Sequence, residues 1–291
     1  MSVIFLDTCV IVNLIENEIT STFVKSALGG FHTISVGRHT LIECMKNYKN
    51  PDELSKVFQY IDSLDPEYTL SAGELFLMEA RKIKTQSMFP YFCDSGVKKL
   101  ISDFCRDPSK YYNAIIVFVE KYKAHVELCK NAWYPQDNKS SIVYRNAFSG
   151  AEKISLKKII QSSSLFEDRI MKIKPTDEVL ATLEILFASN SLNLNKANII
   201  HFLENQSEYP ALRTYFRSIV LLGDNTITKD TPKKDRFTDA IQFIEASYCT
   251  TFVSSEKNLI DHANPNCRGR KYNPDIELID FHDFLMDLQG R

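Results

Sequence analysis

The stretch VIFLDTCVIVNLIE, residues 3–16, decides the fold. Val3 to Leu6 is a β-branched and apolar run that stops at Asp7, the pattern of a buried parallel strand whose carboxyl end carries a polar group. Apolar residues then recur at helical spacing from Val10 to Glu16, with Thr8 expected to cap that helix. A second amphipathic stretch follows from Ser21 to Leu28 and closes at Gly29 and Gly30. Thr33 to Val36 reads as a second strand. Residues 38–48 read as another helix, on the spacing of Leu41, Ile42 and Met45, and Pro51 marks a boundary. This β-α-β-α order is the signature of an α/β sheet.

Beyond Pro51 the strand signals nearly vanish until Thr231. Helical spacing predicts helices over 52–64, 71–84, 111–131, 176–188 and 212–222. NAWYPQDNKSS (131–141) and GDNTITKDTPKK (223–234) are rich in turn formers and charge and are expected as loops. The α/β text then resumes: 235–248 reads as a helix, Thr250 to Val253 and Ile276 to Ile279 as strands, and Phe281 to Leu288 as a closing helix. Neither end alone has enough strands for a covered parallel sheet. The expected organisation is therefore one α/β domain built from 1–50 and 235–291, its parallel sheet flanked by helices, with 51–234 as a mostly α-helical insertion.

Composition bounds the function. The 291 residues are 44% hydrophobic and 25% charged, which fits a globular chain and not a disordered or fibrous one. A formal charge of -2 gives no global attraction to polyanions, so any nucleic-acid contact must be local. The seven cysteines are scattered without a C-x-x-C pair, which argues against a disulfide framework or zinc knuckle and for a reducing compartment. The N-terminus carries Asp7 and no basic segment, so it reads poorly as a signal peptide, and no apolar run is long enough to span a bilayer. A cytoplasmic protein with no membrane role is expected. Neither a phosphate-cradling loop nor a dinucleotide fingerprint is present.

Four acids fall near the carboxyl ends of the strands or in the helices that follow, where an open α/β sheet binds its ligands: Asp7, Glu43, Asp239 and Glu256. Singly, each has an ordinary explanation: a helix cap for Asp7, a solvated helix face for Glu43, first-turn charge for Asp239 and loop charge for Glu256. Together they form an ordered set. VIFLDTCVIVNLIE, with Asn13; SVGRHTLIECMKN; and DAIQFIEASYCTTFVSSEKNL resemble, in this order, the motifs of PIN-domain nucleases. IELIDFHDFL resembles the last strand and helix of that family. The resemblance covers roughly residues 1–50 and 235–291. It implies that Asp7, Glu43 and Asp239 take the family's metal positions and that Glu256 takes the fourth, where Asp is commoner.

Clustered carboxylates repel one another unless cations occupy them, and Mg²⁺ or Mn²⁺, hard ions that favour carboxylate and water oxygen, fit that need. The chemistry implied is phosphodiester hydrolysis. Thr8, Asn13 and Ser254 are expected as supporting polar groups, and Asp235 as an extra ligand or a helix cap. Lys233, Lys234, Arg236, Arg268, Arg270 and Lys271 are basic residues able to grip phosphates. The resemblance implies a nuclease for single-stranded RNA, of a kind found among toxins of toxin-antitoxin or defence systems, with an antitoxin or other protein as a partner through the insertion. Self-association stays open. A catalytically silent RNA- or protein-binding module and a structure-specific DNA nuclease are the alternatives.

Overall fold

The computed structural model describes residues 2–47, 50–85, 93–133, 146–228, 235–260 and 266–290. Its sheet has five strands, all parallel: β1 (Ser2–Leu6), β2 (His32–Val36), β3 (Glu67–Tyr68), β4 (Thr251–Ser254) and β5 (Glu277–Asp280). The spatial order is β3-β2-β1-β4-β5. Central β1 thus joins the two chain ends, with Ile4 opposite Ile34 of β2 and Phe5 opposite Phe252 of β4.

Both faces of the sheet are covered, which is why β1 is an unbroken apolar run and not an alternating one. Ile4 and Leu6 join Val36 and Val253 under α1 (Thr8–Glu16), α2 (Ser21–Leu28) and α4 (Pro51–Ser63). Phe5 points the other way and stacks on Phe252 at 5.3 Å, which stacks on Phe243 at 4.4 Å. All three rings are fully buried. Each contributes roughly 2–3 kcal/mol by burial, and each ring pair about 1 kcal/mol more. Phe76, Phe187, Phe202 and Tyr215 of the helical middle lie in the same apolar cluster, so the middle packs on the sheet.

Three local expectations are corrected. Helix α1 begins at Thr8, and its cap is Asp7, whose carboxylate accepts the Thr8 N–H at 2.6 Å. The middle is not free of strands: β3 pairs in parallel with β2, so the sheet extends beyond residue 50. A strand of two residues leaves no alternation to read in sequence. The third correction concerns 223–228, which is not loop but the last part of the helix Pro210–Thr228. The turn formers there bond within the helix: Asn225 donates to the Leu221 carbonyl at 2.7 Å, and Thr226 to Leu222 at 2.9 Å. Ile227 is buried, and Arg169 grips Asp224 through two hydrogen bonds of 2.8 and 2.7 Å. The rest of that expected loop, 229–234, lies outside the described residues, as does 134–141. Residues 131–133 end the helix Pro108–Trp133. Among the described residues no helix is long and apolar enough to cross a membrane.

Candidate acidic site

The order of the strands reverses at β1: the chain winds outward through β2 and β3 on one side and returns through β4 and β5 on the other. Ligands of open parallel sheets bind outside the carboxyl ends of the strands at such a point. Asp7 follows β1 there, its N–H held by the Val253 carbonyl at 3.1 Å, and Ser254 ends β4 beside it. The Ser254 hydroxyl donates to Asp7 Oδ2 at 2.7 Å, and the Cys9 thiol donates to the same oxygen at 3.1 Å.

Three other elements bring the remaining acids. Glu43 stands on α3 (Arg38–Asn47), and its Oε2 accepts the Thr8 hydroxyl. Asp239 lies in the first turns of the helix Asp235–Glu245. Gln242, one turn further along that helix, donates from Nε2 to Asp7 Oδ1 at 2.8 Å and to Glu43 Oε2 at 3.2 Å. An amide facing two carboxylates must present its nitrogen to them, which settles its orientation. Glu256, two residues past β4, takes its position through a 2.9 Å turn bond to Ile260 and a 3.2 Å bond from its own N–H to Ser254 Oγ.

One cavity of about 370 Å³ is lined by Asp7, Glu43, Asp239 and Glu256, with Thr8, Asn13 and Gln242 among its walls. The four acids picked out in the sequence therefore share one space, though they come from both chain ends. Ser254 acts from behind, through Asp7. The Asp235 side chain lies outside the described residues, as do those of Lys233, Lys234 and Arg236. Sequence reasoning missed Gln242 and Lys46, which also lines the cavity; the three-residue spacing of Gln242 from Asp239 was the available signal. Arg38 does not reach this cavity. It pairs with Glu74 at 2.9 Å and with Asp94, over the Phe118 ring. His39 is buried, with Nε2 3.5 Å from Glu43 Oε1. Tyr111 and Tyr112 pack against the core on the α1 side of the sheet.

Burial pushes the Asp7 carboxyl above the usual carboxylate range and the Glu43 charge pushes it further, against hydrogen bonds from Ser254, Cys9 and the Thr8 N–H. Burial acts in the same direction on Glu43, but there the neighbouring His39, the Thr8 hydroxyl and Lys46 prevail and hold the carboxyl below its ordinary value. The Cys9 thiol is pushed up to about 12 by burial and by Asp7, so it is a hydrogen-bond donor and not a nucleophile. Asp239 is held differently: Arg268 Nη1 sits 2.7 Å from its Oδ2, while Nη2 lies 4.0 Å from Glu256 Oε2.

A hard divalent cation fits this chemistry, because the cavity is lined by four carboxylates together with the Thr8 hydroxyl and the Asn13 amide, oxygen donors of the kind such ions favour. As arranged, no three acidic, imidazole or thiol groups among the described residues converge as a ligand set. Thr8, Ser254, Cys9 and Gln242 bond the oxygens of Asp7 and Glu43, and Arg268 pairs with Asp239. Comparison finds no matching protein-family model, curated protein or solved structure.

Proposed function

We propose that this chain is a metal-dependent nuclease that hydrolyses phosphodiester bonds, with single-stranded RNA as its substrate. The observation that carries the reading is the convergence of Asp7, Glu43, Asp239 and Glu256 on one cavity at the reversal point of a parallel sheet. Asp7, Glu43 and Asp239 are the residues that would hold Mg²⁺ or Mn²⁺. Ser254 and Gln242 fix the two Asp7 oxygens, and Thr8 fixes Glu43. Glu256, 55% exposed at the mouth, is placed to act directly or through a water. Bound there, the cation would supply an activated water and charge for the phosphate oxygens. The RNA preference and a toxin or defence role come from the resemblance to PIN-domain nucleases, and an antitoxin or other protein partner would meet the helical middle.

The test is cleavage of labelled single-stranded RNA and DNA by wild type and Asp7→Asn at equal folded concentration. RNA cleavage should need Mg²⁺ or Mn²⁺, stop with EDTA, fail with Ca²⁺ and be lost in Asp7→Asn, with Glu256→Gln less impaired. Equal, EDTA-resistant cleavage by wild type and Asp7→Asn refutes the assignment. The second reading, a silent PIN-like module that binds RNA or protein, is favoured by the hydrogen bonds and the guanidinium that already engage Asp7, Glu43 and Asp239. It predicts binding without cleavage of either nucleic acid. A structure-specific DNA nuclease would instead leave both single strands intact and cut a branched DNA duplex included as a third substrate.

A further inference from the structure

Arg268 sets its guanidinium against Asp239 and near Glu256, two of the acids that line the cavity, and its position is built in. It opens the short helix Arg268–Tyr272, whose next residue, Gly269, presses against the core. A Cβ at 269 would lie 2.8 Å from the Phe243 ring, 2.9 Å from the Leu259 carbonyl oxygen and 2.9 Å from Leu278. The Gly269 N–H also bonds that Leu259 carbonyl at 2.9 Å. Phe243 is on the helix of Asp239, one turn on, so the backbone of Arg268 is locked to the element carrying its acidic partner. The backbone cannot move away from Asp239; the side chain, 22% exposed at the cavity mouth, can.

We propose that Arg268 is the resident counter-ion of the site and its contact to substrate phosphate: it holds Asp239 in the metal-free protein, yields that oxygen to a divalent cation, and turns to a phosphate of the bound strand. The inference rests on the metal-dependent reading above. The guanidinium sits on Asp239 Oδ2, and a cation drawn to the same carboxylate meets its positive charge at close range, so the two compete. A displaced arginine at the mouth finds its strongest new partner in a phosphate, whose oxygens match its planar fork. Cation and strand therefore favour each other's binding, since each releases or occupies the same side chain.

The experiment is Mn²⁺ titration followed by electron paramagnetic resonance, with no turnover needed, on wild type, Arg268→Gln and Arg268→Lys, each alone and combined with Asp239→Asn. Removing an ion pair of roughly 1 kcal/mol should let Arg268→Gln bind Mn²⁺ about fivefold more tightly than wild type. In the Asp239→Asn background the same change should have no effect, because the competition is gone. A second arm measures anisotropy of labelled single-stranded RNA in Ca²⁺. There Arg268→Gln should bind more weakly, and its salt dependence should be shallower by about 0.7 in log–log slope, the loss of one phosphate contact. Arg268→Lys keeps the charge without the fork and should fall between the two in both arms, which covers the case in which Arg268→Gln does not fold. Mn²⁺ affinity unchanged or weakened in Arg268→Gln overturns the competition while leaving the metal site intact, and an unchanged salt slope overturns the phosphate contact. Absence of Mn²⁺ binding by every variant overturns the metal reading and this inference with it.

Discussion

Glu79 offers a quantitative test of how the helical middle is fastened to the sheet domain. It is 1% exposed, on the helix Ala72–Thr85. Its carboxylate accepts the N–H groups of Ala211 at 2.9 Å and Leu212 at 2.7 Å, capping the helix Pro210–Thr228, and the hydroxyl of Tyr248 at 2.6 Å. Three donors and a helix N-terminus favour the anion, yet burial outweighs them and lifts the carboxyl from 4.5 to about 7. A raised acid binds a proton more readily folded than unfolded, so stability falls as pH rises through that interval and is flat above it. The interval of roughly 2.5 pH units corresponds to about 3 kcal/mol. Glu79→Gln is neutral in both states and lacks this dependence. Urea unfolding of both proteins, followed by circular dichroism at several pH values, isolates the effect as the difference in their stabilities. Wild type should lose about 3 kcal/mol relative to the variant between pH 4.5 and about 7. A flat difference, or one that favours wild type as pH rises, would mean that the donors outweigh burial and would refute the reasoning.

Two further substitutions probe the joints of the site. Gln242→Leu removes the amide shared by Asp7 and Glu43 and should cost about 1–3 kcal/mol in metal-free protein, with Mn²⁺ raising the melting temperature of the variant more than that of wild type; calorimetry with and without Mn²⁺ reads both, and an unchanged metal-free stability counts against the bridge. Gly37→Ala places a Cβ 2.4 Å from Glu245 Oε2 and 2.8 Å from the Phe5 ring. It should cost roughly 1–3 kcal/mol by overpacking, and the variant should melt several degrees lower; equal melting temperatures would show that Glu245 yields freely despite its bonds to the His39 N–H and the Tyr122 hydroxyl.

What was legible in the sequence was whatever physics writes locally. Val3 to Leu6 announced a doubly covered strand because no polar residue interrupts it, and Asp7 marked its end because a strand buried on both faces tolerates an acid only where it emerges. Residues 250–253 and 276–279 were legible from their β-branched and apolar residues, although the exposed Glu277 interrupts the second run. The two-residue β3 was not, since pairing alone makes it a strand, nor was the helical character of 223–228, where turn-forming side chains satisfy carbonyls of their own helix. Buried acids were the least legible. Glu79 and Glu245 look like ordinary helix charge, and only the approach of distant donors distinguishes them.

The same distinction explains why the site could be assembled from two chain ends with so long a segment between them. Gln242 and Asp7 are 235 residues apart in sequence yet 2.8 Å apart in space. The entropy of closing a loop grows only logarithmically with its length, about 0.6 kcal/mol per doubling, so a long insertion adds little to the cost of bringing the ends together. The middle offsets that cost by sharing the core: Phe76, Phe187, Phe202 and Tyr215 bury against the cluster of Phe5, Phe243 and Phe252. Central β1 has β2 on one side and β4 on the other, so Asp7 gains Ser254 and Gln242 only once the C-terminal segment has docked. Until then the first two acids stand without the third and fourth, and completing the sheet completes the site.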